Sequence, residues 1–328
     1  MSALRRWAGS RAGRAIGFAS GLVLIVALLA WLWFAHREGL VAALDASAHA
    51  PWWMLALLVI APAANWAATS TFFFAITRRA GPVGLGEMHA VIGAAGLLNY
   101  LPMRPGMVGR IAYHKRVNGI AVRESVRLLL LSVALSVVAL LVLLGVALLS
   151  DGAGELWVYA IGSVPAVLLG LTAWMAGPAT RTGAWLLASA ARYADMVVWA
   201  ARYQVVFAVA GAPVSPAEAV ALAAVSQAAT MVPISGNGLG LRELAVGVCA
   251  ALLPSGGGEG TDAAAVGVTA DLISRAAELC VAVPIGLVGM WVVRRNLRTA
   301  RGRRRSGAQA PGTGPDLLSA DDGGRLSS

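Results

Sequence analysis

Hydrophobic positions in this chain come in long unbroken runs rather than in the alternation of a strand. Leu128–Ser150 is 23 residues without a charge, and Leu156–Thr180 is 25. About 20 apolar residues in a helix cross a ~30 Å hydrocarbon core, so each run can span a bilayer. A transmembrane barrel would instead show alternating segments of roughly ten residues. The same pattern predicts six spans, at roughly 16–35, 52–75, 127–150, 156–176, 194–212 and 266–292. The fold class expected is an all-α polytopic membrane protein. The first run follows Arg5, Arg6, Arg11 and Arg14 and is longer than the 7–15 residues usual in a signal peptide, so it reads as an uncleaved anchor. The small residues at 46–50 leave cleavage open.

Composition agrees. Of 328 residues, 58% are hydrophobic and 13% charged, and mean hydropathy is +0.73. Soluble domains carry about 25% charged residues, so a water-soluble fold and a disordered chain are both excluded. Cys249 and Cys280 lie in apolar stretches without metal-ligand spacing and read as small core residues.

The net charge of +10 comes from 25 Arg and one Lys against 16 acids. Lys and Arg number four before the first span, eight over 76–127, two over 177–193 and eight after 293; the 36–51 loop has one, 150–155 none, and 213–265 only Arg242. The bias alternates, and the positive-inside rule puts both termini in the cytoplasm. A bacterial-type plasma membrane is the expected location. The basic tail would meet anionic lipid headgroups rather than nucleic acid.

Two apolar segments fit poorly as full spans. Met88–Met103 has basic residues at both flanks and breaks at Pro102–Gly109. The 217–254 segment breaks at Pro233–Gly240, with no Lys or Arg beside it except Arg242. Both read as re-entrant broken helices entering from opposite sides, although ordinary short spans stay open. Broken backbone at membrane depth is tolerated only inside protein or beside water. The two halves, about 16–150 and 156–293, then form an inverted repeat. Pro102 aligns with Pro233, Gly109 with Gly240 and Arg110 near Arg242. Paired interrupted helices in inverted repeats are typical of transporters.

The pieces NYLPMRPGMVGR (99–110), MVPISGNGLGLRE (231–243) and ADLISR (270–275) resemble the transmembrane region of lysylphosphatidylglycerol synthase and its stand-alone, flippase-like relatives. The resemblance covers most of 15–293 and lacks the aminoacyl-transfer domain. It implies translocation of a phospholipid or lipid-linked headgroup between leaflets. The chain departs from the family pattern in its first break, which has Arg104 and no acid, and in the uncharged Leu128–Ser150 run.

Charges in the hydrocarbon zone each cost at least ~2.5–3.5 kcal/mol and need partners or a polar cavity. Asp271, Arg275 and Glu278 are spaced i, i+4, i+7 on one helix face. They form either a packing network or a headgroup path. Arg242 and Glu243 follow the turn of Gly236, Gly238 and Gly240, where free N–H groups favour an anion. Arg242 is placed to contact phosphate; Glu243 is placed for those N–H groups or for Arg275. The glycines serve equally for tight turning. Arg104 and Arg110 flank the first break, to receive phosphate or simply as inside charge. Asp195 and Arg202 share a face of the fifth span, and Asn65, Asn99 and Gln227 are polar residues in apolar segments suited to bridging helices.

No catalytic motif, metal set or cofactor signature occurs, with the histidines scattered at 36, 49, 89 and 114. The expected organisation is a basic arm (1–15), a transmembrane domain (16–293) and a disordered basic tail (294–328). The expected function is lipid translocation. The alternatives are a non-transporting scaffold for a lipid- or glycan-modifying enzyme partner, or a membrane transferase using Glu243 or Asp271 as base.

Overall fold

The computed structural model describes residues 45–101, 104–149, 154–232, 236–256 and 260–308, together with the single positions 30, 33 and 41. The predicted first span apart from positions 30 and 33, the basic arm, and Pro102 and Pro233 in the breaks lie outside these residues. All regular structure within them is helical. The helices are α1 (Trp52–Thr77), α2 (Leu85–Leu98), α3 (Pro105–Val117), α4 (Val122–Leu149), α5 (Glu155–Met175), α6 (Arg181–Val209), α7 (Pro216–Met231), α8 (Leu241–Leu252) and α9 (Gly260–Ala308).

Four of them, α1, α4, α5 and α9, are long and apolar enough to cross a membrane, and at most 28% of each apolar window is buried within the protein. Their exposed sides carry Leu130, Leu141, Leu148, Leu168 and Leu287. So much exposed leucine is tolerable only against lipid. Trp52, Trp157 and Trp174 are exposed near helix ends, and Trp291 is exposed on α9 just before the basic run that starts at Arg294, as an interfacial aromatic belt requires. The chain is a multi-span, all-α membrane protein.

α6 differs from the fifth span expected at 194–212. It begins at Arg181 and runs 29 residues, and its apolar content falls short of a lipid-facing span. The cause is its position. α6 packs against α1, α4, α5, α7 and α9, so it presents Arg192, Asp195 and Arg202 to protein. Small residues let its neighbours approach, with Ala188 and Ala200 fully buried.

The two broken segments are helical hairpins. In the first, α2 and α3 share a tied foot: Glu87 accepts hydrogen bonds from the Tyr113 hydroxyl (2.8 Å) and from Asn118 (3.0 Å), and Asn118 also donates to the Pro82 carbonyl (2.7 Å). In the second, α7 and α8 are tied through Glu218. It accepts from the Ser215 N–H at its own N-cap (2.7 Å) and from the Ser255 N–H beyond α8 (2.8 Å). The feet lie at opposite ends of the molecule. The first sits beside Arg78, which donates to the Pro178 carbonyl before α6, and beside α9, where Asn296 donates to Tyr113 (2.9 Å). The second sits where α6 ends, near Val209.

Arg78, Arg79, Lys115, Arg116, Arg123, Arg127 and Arg181 all belong to helix ends and turns at the first foot, and Arg294 lies on α9 close to Asn296, which bonds that foot. Residues 45–77, 203–241 and 243–274 contain no Lys or Arg. One end of the bundle is thus basic and the other is not.

α9 continues through Ala308, so 294–308 is helical within the tail expected to be disordered; the remainder of that tail lies outside the described residues. At 1.5 Å per residue its 49 residues extend about 70 Å, well beyond a ~30 Å core. The cysteines also depart from expectation: Cys249 is half-buried and Cys280 exposed.

Candidate functional site

The two hairpin tips meet. A side chain at Gly236 would place its Cβ 2.0 Å from the Tyr100 carbonyl oxygen, so only glycine permits this approach. Gly240 holds φ +80° at the start of α8, and Gly238 is likewise buried in the turn. The first tip is braced internally: Asn99 Oδ1 accepts from the Met107 N–H at 3.0 Å. Here the expected register between breaks fails. Gly240 caps α8, whereas Gly109 lies inside α3 with open space around it. The residue in the capping place before α3 is Arg104, held at φ 48°.

Behind the tips lies a buried ionic network. Arg242, fully buried, donates through Nε and Nη2 to Asp271 Oδ1 (3.0 and 2.8 Å) and through Nη1 to both oxygens of Glu278 (3.0 and 3.1 Å). Glu278 also accepts from Arg202 Nη2 (2.5 Å) and from the Tyr100 hydroxyl of the first tip (3.1 Å). The Tyr203 hydroxyl donates to Asp271 at 2.7 Å. Arg202 donates further to Ser274 (3.0 Å) and Asn65 (3.1 Å), and its guanidinium stands 4.4 Å over the Trp199 ring. Asn65 and Thr69 donate to Asp195, whose carboxylate pairs with Arg192 at 2.5 Å. Arg275 and Glu243 pair at 2.5 Å, and Arg275 also reaches the Asn237 carbonyl (3.4 Å).

The network contains Arg192, Arg202, Arg242 and Arg275 against Asp195, Glu243, Asp271 and Glu278, four charges of each sign. Each of the eight has a partner of opposite charge. This balance is what permits such density in a low-dielectric interior.

Glu243 meets both sequence expectations at once. One oxygen accepts from the Gly240 N–H (2.8 Å) and the other faces Arg275. The anion expected at the start of α8 is thus the chain's own carboxylate. Asp195 and Arg202, which share a face of α6, take different ionic partners, with Asn65 bridging them. Arg192, counted as a loop charge by sequence, is part of the network because α6 starts earlier; its i, i+3 spacing to Asp195 is the signal that marks it. Tyr100, Tyr203 and Trp199 carry no sequence signal of their own. Arg104 and Arg110 stand apart. Arg110 stacks 3.9 Å over Phe73 and lines, with Arg116, a separate cavity of about 260 Å³ between α2, α3 and α9.

A cavity of about 210 Å³ opens between α1, α2 and α9 at the tip junction. Its polar lining is Asn65, Thr69, Asn99, Tyr100, Arg202, Asn237 and Glu278, and Trp66 and Trp199 supply aromatic walls. One side of the network is therefore reachable from the cavity; Arg242 and Asp271 are not.

Compared with known proteins, the chain matches no family model, no curated protein and no solved structure.

Proposed function

We propose that this chain is a flippase-like protein that moves a phospholipid or lipid-linked headgroup between leaflets, as its sequence resemblance implies. The observation that carries the reading is the cavity at the junction of the two hairpin tips. It combines a polar floor of Arg202, Glu278, Asn65 and Asn237 with apolar walls. A headgroup would ride the polar floor while its acyl chains stay in the bilayer.

The tied feet at opposite ends and the meeting tips support an inverted repeat of re-entrant hairpins, the arrangement in which transporters set their sites at the midplane. The basic end faces the cytoplasm by the positive-inside rule, which places the end of α9 there, in a bacterial-type plasma membrane. Arg104 and Arg110, on the basic side of the first tip, are the residues that would receive a phosphate. Gly236, Gly238, Gly240, Arg242, Glu243, Asp271 and Arg275 form the closed wall behind the cavity that such a headgroup must pass, and Glu278 joins that wall to the floor.

The test is transfer of a fluorescent phospholipid in proteoliposomes, read by dithionite quenching. Gly96 lines the cavity, and a Cβ there meets nothing within 4 Å. Gly96→Phe should fill the mouth and stop transfer without harming the fold. Gly170→Phe, on the outer helix α5 and equally unobstructed, should transfer as wild type does. Transfer by wild type no faster than in empty vesicles would overturn the reading and leave the enzyme scaffold, which predicts a co-purifying partner.

A further inference from the structure

A third cavity, away from the network, lies at the basic end between α1, α4 and α6. At about 930 Å³ it is more than four times the volume of the tip cavity. Its mouth carries three arginines from three different helices or their ends: Arg79 after α1, Arg127 on α4 and Arg181 at the start of α6. One acid accompanies them, Glu124, whose contact with Arg127 is loose at 3.9 Å, with Arg127 exposed and Glu124 half-exposed. Such a pair is worth little, so the mouth keeps a net positive charge. Away from the mouth the lining turns apolar through Leu128, Leu130, Leu131, Ala134 and Trp185. Leu130, on the lipid-facing helix α4, is 67% exposed, and Trp185 near the start of α6 is 39% exposed.

We infer that this groove holds an anionic phospholipid, with its phosphate at Arg79, Arg127 and Arg181 and an acyl chain along Leu131, Ala134 and Trp185. The argument is charge and hydropathy in series. A soluble anion would leave the leucine floor uncovered, and a zwitterionic lipid would leave the arginine cluster without a net counter-charge. Arginine also offers the forked donors that match a phosphate. The bound lipid would bridge the ends of α1, α4 and α6 and so brace the helix that carries Arg192, Asp195 and Arg202. The inference does not depend on translocation and holds equally for a scaffold.

The experiment uses the full chain in phosphatidylcholine nanodiscs containing a minor fraction of brominated phosphatidylglycerol or, separately, of brominated phosphatidylcholine. Bromine quenches tryptophan fluorescence at contact. Wild type should be quenched more by the brominated phosphatidylglycerol, and Trp185→Phe should lose most of that excess. The triple variant Arg79→Gln/Arg127→Gln/Arg181→Gln should also lose it, while its melting temperature in detergent stays within a few degrees of wild type. Arg294→Gln/Arg295→Gln/Arg298→Gln, basic but outside the groove, should keep it. Equal quenching by the two lipids in wild type, an excess that survives the triple groove variant, or an excess removed by the control variant would each overturn the site. Free phosphate at millimolar concentration should leave the quenching unchanged; competition by it would replace the lipid with a soluble anion.

Discussion

The pairing of Arg242 with Asp271 gives the sharpest test of what the network does. Both side chains are fully buried, and their contacts are 2.8 and 3.0 Å. Arg242→Met removes all four hydrogen bonds that this residue's fork makes to Asp271 and Glu278 and leaves Asp271 with Tyr203 alone. Glu278 keeps Arg202 and Tyr100, so the damage concentrates on Asp271. Removing one partner of a buried pair typically costs about 3–5 kcal/mol, because the other charge stays in low dielectric. Asp271→Leu alone should cost a similar amount, since Arg242 then has only Glu278, already shared with Arg202. The double variant Arg242→Met/Asp271→Leu removes both charges and keeps apolar volume. It should lose no more than about 1–2 kcal/mol, so the interaction between the sites should exceed about 2 kcal/mol. The assay is unfolding by sodium dodecyl sulfate in mixed micelles, followed by tryptophan fluorescence, for the four members of the cycle. Additive losses, with the double variant as unstable as the two singles summed, would refute the claim that these charges exist in the fold only as a mutually compensated set.

Two further outcomes follow from the hairpins. Gly236→Ala should force the tips apart, because its Cβ would stand 2.0 Å from the Tyr100 carbonyl; a loss of about 1–3 kcal/mol is expected in the same unfolding assay, whereas Gly109→Ala, with nothing within 4 Å, should gain about 0.5–1 kcal/mol from better helix propensity. At the foot of the second hairpin, burial pushes the Glu218 carboxyl up, but the N–H donors of Ser255 and Ser215 outweigh it and hold the group below the usual carboxylate range. Its folded value is thus below its unfolded value of about 4.3, so its contribution is complete above that pH and is lost as pH falls through the folded value. Glu218→Gln should cost about 1 kcal/mol near neutral pH and flatten the acid side of the stability profile below pH about 4.3; an unchanged acid slope would contradict the assigned bonds.

Much of the fold could be read from the chain because lipid imposes length and apolarity directly. α1, α4 and α5 follow their expected spans closely, and both breaks fall where proline and glycine interrupt the apolar runs. α6 was legible only in part, since a helix packed against five others is free to carry charges on its protein-facing sides, and hydropathy alone then truncates it. The same blindness sent Arg192 to a loop. The i, i+4, i+7 face of Asp271, Arg275 and Glu278 announced a network, but its wiring did not follow from spacing. Arg242 reaches past its neighbour Glu243 to α9, and Arg202 takes Glu278 rather than Asp195, because interhelical distances decide between partners that one helix alone leaves equivalent. The alignment of Gly109 with Gly240 failed for a related reason: a glycine is informative only where its backbone or its missing Cβ is used, and Gly109 uses neither.

The equality of charge in the network has an electrical consequence. A lone arginine displaced across a membrane works against the transmembrane potential, at about 2.3 kcal/mol per 100 mV. With all eight groups ionised, four guanidinium and four carboxylate side chains sum to zero, so the set can shift as one body without coupling to voltage. Neutralising a single member, as Glu278→Gln does, would leave one uncompensated charge and turn a voltage-indifferent core into one that feels the membrane field.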